Sequence, residues 1–338
     1  MKAAILREFK QPLNIEDIPR PEPGPGEVLI KIEAAGVCHS DLHIAEGDWP
    51  QLAAIVKRPL VLGHEVVGRV VKTGPEVKSL EVGDRVGVPW IYWSCGECEI
   101  CKDGNENLCP SQIITGGTVD GGFAEFIKAK ASHATKVPTP LTSEEAAPLF
   151  CAGVTVYRAL KRAEIKHGQR TAIFGVGGLG HLALQIAVAF GAEVWAVDVD
   201  DHKLEFAKQL GAHHVINAAT SEVVKELRKV GRVHTAVVTS AAKAAYDSAF
   251  SSVRQGGTLV VVGLPAEPLT FPAVMMAATE IKIIASSVGT REDLRQVLEM
   301  AASGTLRCKT ETRPLDQINE VFEDMRRGRI TGRVVLKA

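Results

Sequence analysis

The stretch TAIFGVGGLGHLALQ, residues 171–185, decides the fold. It opens as an apolar strand, passes through Gly175-x-Gly177-x-x-Gly180 and continues as an apolar helix closed by Gly191. In that setting the first glycine permits a tight turn. The second lets backbone approach a pyrophosphate, and the third lets helix and strand pack closely. The helix N-terminus beyond them offers free N–H groups and a positive dipole to phosphate. Glycines at a strand–helix turn can also be no more than a turn, so the surroundings decide. EVWAV follows as a second strand and ends at Asp198, 18 residues after Gly180, where an acid can grip an adenosine ribose. Asp198 could instead cap the helix of DHKLEF. The full order of strand, turn, helix, strand and acid favours the dinucleotide site.

Working outward, DHKLEFAKQL reads as a helix closed by Gly211. HHVIN, HTAVVTS, GTLVVVGL and IKIIASS read as further strands. Such alternation implies a parallel sheet covered on both faces. The first 90 residues differ. They are rich in Pro and Gly, and EVLIKIEAAGV, PLVLGHEVVGRVVKTG and GDRVGVPW read as short strands joined by turns, an all-β or α+β domain. Between the two regions, SEEAAPLFCAGVTVYRALKRAEI reads as one helix with Ser143 as N-cap and Glu144 and Glu145 in its first turn. INEVFEDMRRG reads as a late helix and RVVLKA as a final strand. A chain of 338 residues exceeds the usual size of one core, so two domains are expected.

Lys and Arg number 39 against 40 Asp and Glu, so no basic excess points to nucleic acid or an anionic membrane. The apolar region 171–199 is interrupted by glycines, His181, Gln185 and Glu193, and reads as strand–helix–strand rather than a membrane span. MKAAILREFK lacks the apolar core of a signal peptide, so a cytoplasmic protein is expected. In that compartment, clustered thiols are metal ligands more often than disulfides.

CGECEICKDGNENLC, residues 95–109, holds four of the seven cysteines. Cys95, Cys98, Cys101 and Cys109 can close tetrahedrally around zinc, which leaves no position for a substrate. This loop is expected to be a staple, with the chemistry elsewhere. Cys38 stands in AGVCHSDLH among His39, Ser40, Asp41 and His43, which makes it a good ligand candidate. Taken singly, Cys151 and Cys308 are most simply buried small residues. His64 in LGHEVVG is open between a structural role and a ligand. Position 68 is Gly, so the paired-histidine helix of zinc proteases is absent.

GVCHSDLH, GHEVVG, the four-cysteine loop, CAGVTVY and GVGGLG stand in the order of the zinc-dependent medium-chain alcohol dehydrogenases. The chain resembles that family over essentially its whole length. It is most similar to the bacterial and yeast-type ethanol-active branch, which also has GDWP and GRVVL. The resemblance implies an α/β protein with a GroES-like, mostly β catalytic domain at 1–150 and 290–338, and a Rossmann coenzyme domain at 151–289. It implies two zinc ions per chain, a catalytic one on Cys38, His64 and Cys151 and a structural one on the loop. Cys151 then lies at the domain junction, beside the nicotinamide.

The implied reaction is reversible hydride transfer between a small primary or secondary alcohol and NAD. Ser40 and His43 match the proton relay, Asp41 the acid that orients His64, and Glu65 the acid behind the zinc. His39, Thr155, Gly175, Gly177, Gly178, Leu179, Gly180, Asp198, Lys203, Val288 and Arg333 match cofactor positions. Lys203 and Arg333 could otherwise be solvated surface charges. Trp49 and Trp90 match pocket walls, which implies short substrates; otherwise they are core. Trp93 and Gly117 depart from the family's usual small residue and Tyr. The branch commonly forms tetramers. A polyol or formaldehyde dehydrogenase is the alternative within the family. A zinc-free quinone or enoyl reductase would not need Cys38, His64 and Cys151 together. A non-catalytic zinc- and nucleotide-binding protein would have no use for the Ser40–His43 pair.

Overall fold

The structure is a computed structural model and describes residues 1–265 and 267–337. The chain divides into two compact units, Met1–Val154 with Gly289–Ala338, and Thr155–Val288. The expected boundaries differ from these by a few residues, and the division assigns Cys151 to the first unit.

In the second unit, RTAIF and its neighbours are buried almost without alternation, as strands covered on both faces must be. Six parallel strands lie in the order His214–Asn217, Glu193–Asp198, Arg170–Phe174, Val233–Val238, Val253–Val261 and Lys282–Ala285. Counted along the chain, that order is 3-2-1-4-5-6 and reverses beside Arg170–Phe174. Such a reversal opens a crevice at the carboxyl ends of the strands, where residues 175–180 lie. The helix after the turn, Gly180–Ala189, buries nearly every residue, which explains its apolar sequence.

The first unit is built on a seven-stranded sheet. Glu27–Gly36 lies between Glu65–Thr73 and the final strand Arg333–Lys337, which returns from the far end of the chain. Ile30, Leu62, Val66 and Phe123 belong to its core. The expectation of strands in the first 90 residues holds, with two additions: helices His39–Glu46 and Pro50–Ala53. The N-cap expected at Ser143 is instead Thr142, whose hydroxyl accepts from Glu145 N–H while the Glu145 carboxylate accepts from Thr142 N–H. The long helix expected there is also broken. A helix at Ser143–Ala146 passes into a tight turn at Ala147–Phe150, Cys151 leaves helical geometry with φ −132°, and a second helix spans Ala152–Arg162. Pro148 lacks the N–H a continuous helix would need.

Candidate metal centres and dinucleotide site

Two groups of soft donors stand out among the described residues. The first is Cys95, Cys98, Cys101 and Cys109, the second Cys38, His64 and Cys151 with Glu65. Within each group the ligand atoms lie within 4.8 Å of one another. All seven cysteines are free thiols.

The loop group is partly exposed, and Cys109 alone is buried. Cys95 Sγ lies 3.9 Å from Cys101 Sγ and 3.6 Å from Cys109 Sγ. Backbone N–H groups of Cys98 and Glu97 face the Cys95 sulfur and bring its pKa down to about 6. A thiol so disposed is a thiolate near neutrality, the form that binds metal. The loop is tied down outside the cysteines. Glu106 accepts from Arg291 Nε at 2.9 Å and from Arg291 N–H at 2.9 Å. Before the loop, Ser94 N–H donates to Nε2 of buried His133 at 3.1 Å.

The second group is buried throughout. Cys38 ends the turn after Glu27–Gly36 and is the N-cap of His39–Glu46. His64 directly precedes Glu65–Thr73. Cys151 comes from the break between two helical segments. Cys38 Sγ and Cys151 Sγ are 4.0 Å apart. Contact with Cys151 and His64 lowers the pKa of Cys38 despite burial, and contact with Cys38 raises Cys151, so the first negative charge settles on Cys38. Asp41, with no exposed surface, holds the group together. One of its oxygens accepts from Cys38 N–H at 2.9 Å; the other accepts from Gly63 N–H at 3.2 Å and faces His64 Nδ1 at 2.8 Å. A carboxylate only accepts, so Nδ1 carries a hydrogen, and in the neutral ring Nε2 keeps its lone pair.

His64 Nε2 is buried and has no hydrogen-bond partner among the described residues. Burial opposes charge on His64, but Asp41 and the Cys38 sulfur together outweigh it and raise the imidazole's pKa. A ring nitrogen that favours a proton in such a place also favours a metal cation. The donor set and this orphaned nitrogen fit zinc. Glu65 pairs with Arg333, a buried guanidinium rather than a solvated charge. Burial pushes Glu65 up to about 7 against the pull of Arg333.

Around this group, Trp90 meets His64 edge-on with ring centroids 4.8 Å apart. Trp49 lies over His43 at 4.8 Å. Trp93 packs against the core, and a Cβ on Gly117 would press on Ile114. Cys308 is half-buried rather than the buried small residue expected; desolvation raises its thiol to about 12, near the Arg333 and Glu65 charges.

In the second unit, a Cβ on Gly180 would fall 1.7 Å from the Gly175 carbonyl oxygen, so only glycine fits there. A Cβ on Gly177 would meet nothing within 4 Å, which leaves open space beside that backbone. The helix-capping alternative for Asp198 fails, because Asp200 is the cap, accepting from His202 N–H at 2.8 Å. Asp198 accepts from Val176 N–H at 2.6 Å, Val199 N–H at 2.8 Å and Asp200 N–H at 3.1 Å. About four lone-pair sites are available on a carboxylate, so about one remains for a ribose hydroxyl. Lys203 takes part in the Asp200 cap through its backbone N–H. Val288 stands at φ +36°, a strained value for a β-branched residue, where the chain leaves the second unit.

Comparison with known proteins accords with this geometry. Residues 24–139 match the family model for the alcohol dehydrogenase GroES-like domain, and residues 178–303 that for zinc-binding dehydrogenases. Fold and donor clusters thus fall in one class, the zinc-binding dehydrogenases with a GroES-like domain. An alcohol dehydrogenase of Geobacillus stearothermophilus is 50% identical over 338 residues, covering 100% of this chain and 99% of its own. The crystal structure of an alcohol dehydrogenase from the hyperthermophilic archaeon Aeropyrum pernix superposes with TM-score 0.94 at 37% identity, covering 100% of both chains. Acetophenone reductase from Geotrichum candidum, solved with NAD, gives TM-score 0.90 at 32% identity over 100% of this chain and 97% of its own. The chain belongs to the zinc-dependent medium-chain alcohol dehydrogenase family.

Proposed function

We propose that Cys38, His64 and Cys151 hold a catalytic zinc and that Cys95, Cys98, Cys101 and Cys109 hold a structural one. The enzyme is an NAD-dependent alcohol dehydrogenase acting on alcohols and aldehydes; the finer reading is a preference for short primary alcohols. The observation that carries the zinc assignment is the unpartnered Nε2 of His64 beside two buried thiols. Zinc there supplies a Lewis acid for an alcohol oxygen, and NAD supplies the hydride acceptor.

The chain's own residues do the rest. Two thiolates and a neutral imidazole balance a doubly charged cation, and Asp41 fixes the imidazole tautomer. Ser40 and His43 carry the hydroxyl proton away. Trp49 and Trp90 wall the substrate space and favour short chains. Glu65, neutralised by Arg333, keeps a carboxylate near the cluster without a net negative charge. Residues 155–288 bind the cofactor, with Asp198 on the ribose and His39, Lys203, Val288 and Arg333 as further contacts. No helix among the described residues is long and apolar enough to cross a membrane. A cytoplasmic homotetramer completes the reading.

Steady-state reduction of NAD and of NADP against a ladder of primary, secondary and aromatic alcohols tests it. Short primary alcohols should give the highest kcat/KM, and a bulky aromatic optimum would overturn the Trp49–Trp90 assignment. NAD should be preferred over NADP by about 100-fold or more. A 2′-phosphate would bring roughly −1.5 to −2 charges against Asp198. Val199, Asp200 and Asp201 offer no cation in the next three positions. Comparable values for the two cofactors would overturn the role of Asp198.

A further inference from the structure

The helix His39–Glu46 ends at Gly47, whose φ of +69° is a left-handed value that favours glycine. This turn folds the chain back on the helix. Asp48 N–H donates to the His43 carbonyl at 3.1 Å, and Asp48 Oδ2 stands 2.7 Å from His43 Nδ1. The indole of Trp49 covers the same imidazole at 4.8 Å, tilted by 37°. The His43 and Asp48 side chains keep 22% and 30% of their surface exposed, so the pair is sheltered yet open to water.

Since a carboxylate can only accept, His43 Nδ1 bears the hydrogen and Nε2 is left as the ring's basic atom. The acidic side chains of the same helix are engaged elsewhere. Asp41 is committed to His64, and Glu46 to Arg326 at 2.7 Å. His39 lies one turn back, with ring centroids 6.4 Å apart. Across the turn, His43 and Trp49 share an apolar hollow with Leu52, Ala53 and Val56.

We propose that Asp48 is a positioning residue for proton transfer through His43: it fixes the tautomer that accepts at Nε2 and stabilises the imidazolium that results. This rests on the relay reading of Ser40 and His43. In alcohol oxidation the relayed proton would form an N–H bond at Nε2 while Nδ1–H stays on the ring against Asp48. The Nε2 proton would then pass to water or buffer, leaving the neutral ring as it began. In carbonyl reduction the same bonds form and break in reverse.

The test uses the holoenzyme with ¹⁵N-labelled histidine. His43→Gln assigns the His43 ring signals by their loss, and thermal unfolding checks that each variant is folded. Wild-type His43 should be the Nδ1–H tautomer, and Asp48→Ala should lose that bias. Asp48→Asn should lower kcat/KM for alcohol oxidation by about fivefold, a modest part of a general-base contribution. It should also move the acidic limb of the pH–rate profile, and Asp48→Glu should recover part of the loss. In a His43→Gln background, Asp48→Asn should add nothing. An Nε2–H tautomer in the wild type would overturn the proposal, as would a tautomer indifferent to Asp48→Ala. So would an Asp48→Asn loss that persists without His43. If His43→Gln slows the enzyme but Asp48→Asn does not, Asp48 alone is refuted. If His43→Gln itself leaves the profile unchanged, the relay reading falls and takes the proposal with it.

Discussion

The two thiol clusters share sulfur chemistry and differ in what holds them in shape. Cys95, Cys98, Cys101 and Cys109 come from a single run of fifteen residues and stand mostly at the surface. Their loop has two short helical turns, Glu99–Lys102 and Glu106–Leu108, and little apolar surface to bury. Cys38 and Cys151 are 113 positions apart, and the cluster they form with His64 and Glu65 is buried. Strand ends, the helix His39–Glu46 and the Asp41 and Arg333 contacts surround that second group. On the proposed reading, a metal in the loop would maintain the structure, whereas a metal in the buried cluster would be received by structure that the rest of the unit builds. Similar ligands would then serve opposite thermodynamic ends.

The strongest way to break this contrast is Cys38→Ser. Turnover should fall by at least about a thousandfold, because the metal's Lewis acidity is lost. The variant should remain folded and keep one of two zinc ions by metal analysis. If the variant unfolded, or if the carefully purified wild type held fewer than two, the contrast would fail.

Cys98→Ser should do the reverse. We expect a loss of about 3 kcal/mol or more of stability, since structural zinc contributes directly to folding. That corresponds to a melting temperature lower by roughly 5–10 °C. Activity at low temperature should persist. Equal stability of variant and wild type would show that the loop holds itself.

A finer test uses His133, which accepts the N–H of the residue just before Cys95. Burial, aided by the Arg291 charge and opposed by Glu106, lowers this imidazole to about 4. The unfolded chain takes up a proton near pH 6.5 that the folded chain refuses until about pH 4. Stability should thus be unaffected above pH 6.5, decline by at most about 3 kcal/mol as pH falls through that window, and level off below it. In His133→Asn that portion of the decline should vanish. Denaturant melts at several pH values check this, and parallel curves for variant and wild type would remove His133 from the acid sensitivity.

The same contrast explains what could be read from the sequence. The loop cluster was legible from spacing because all its ligands share one short segment. The buried cluster was not, because strand pairing brings its members together from distant positions; only the family resemblance connected them. The parallel sheet was legible in its apolar runs, and Asp198 in its place after the second strand. Helix His39–Glu46 was not legible because its cap is Cys38, without a Ser, Thr, Asp or Asn signal, and because its buried residues, Asp41, Leu42, Ile44 and Ala45, include a charged one and form no clean apolar stripe. Thr142 lost out to Ser143 because either can cap; the reciprocal bonds with Glu145 settle it. Glu106–Arg291 and Ser94–His133 join residues too far apart for any local pattern to pair them.

Asp41 uses one carboxylate to close the first turn of His39–Glu46, to hold Gly63 N–H and to grip His64. The ligand's orientation and the helix start therefore belong to one thermodynamic cycle. Whatever steadies the imidazole must steady the Cys38 and Gly63 amides by the same free energy, and a fraying helix must loosen the imidazole in return. Amide hydrogen exchange at those two positions would thus act as a gauge of metal occupancy, legible without any enzymatic turnover.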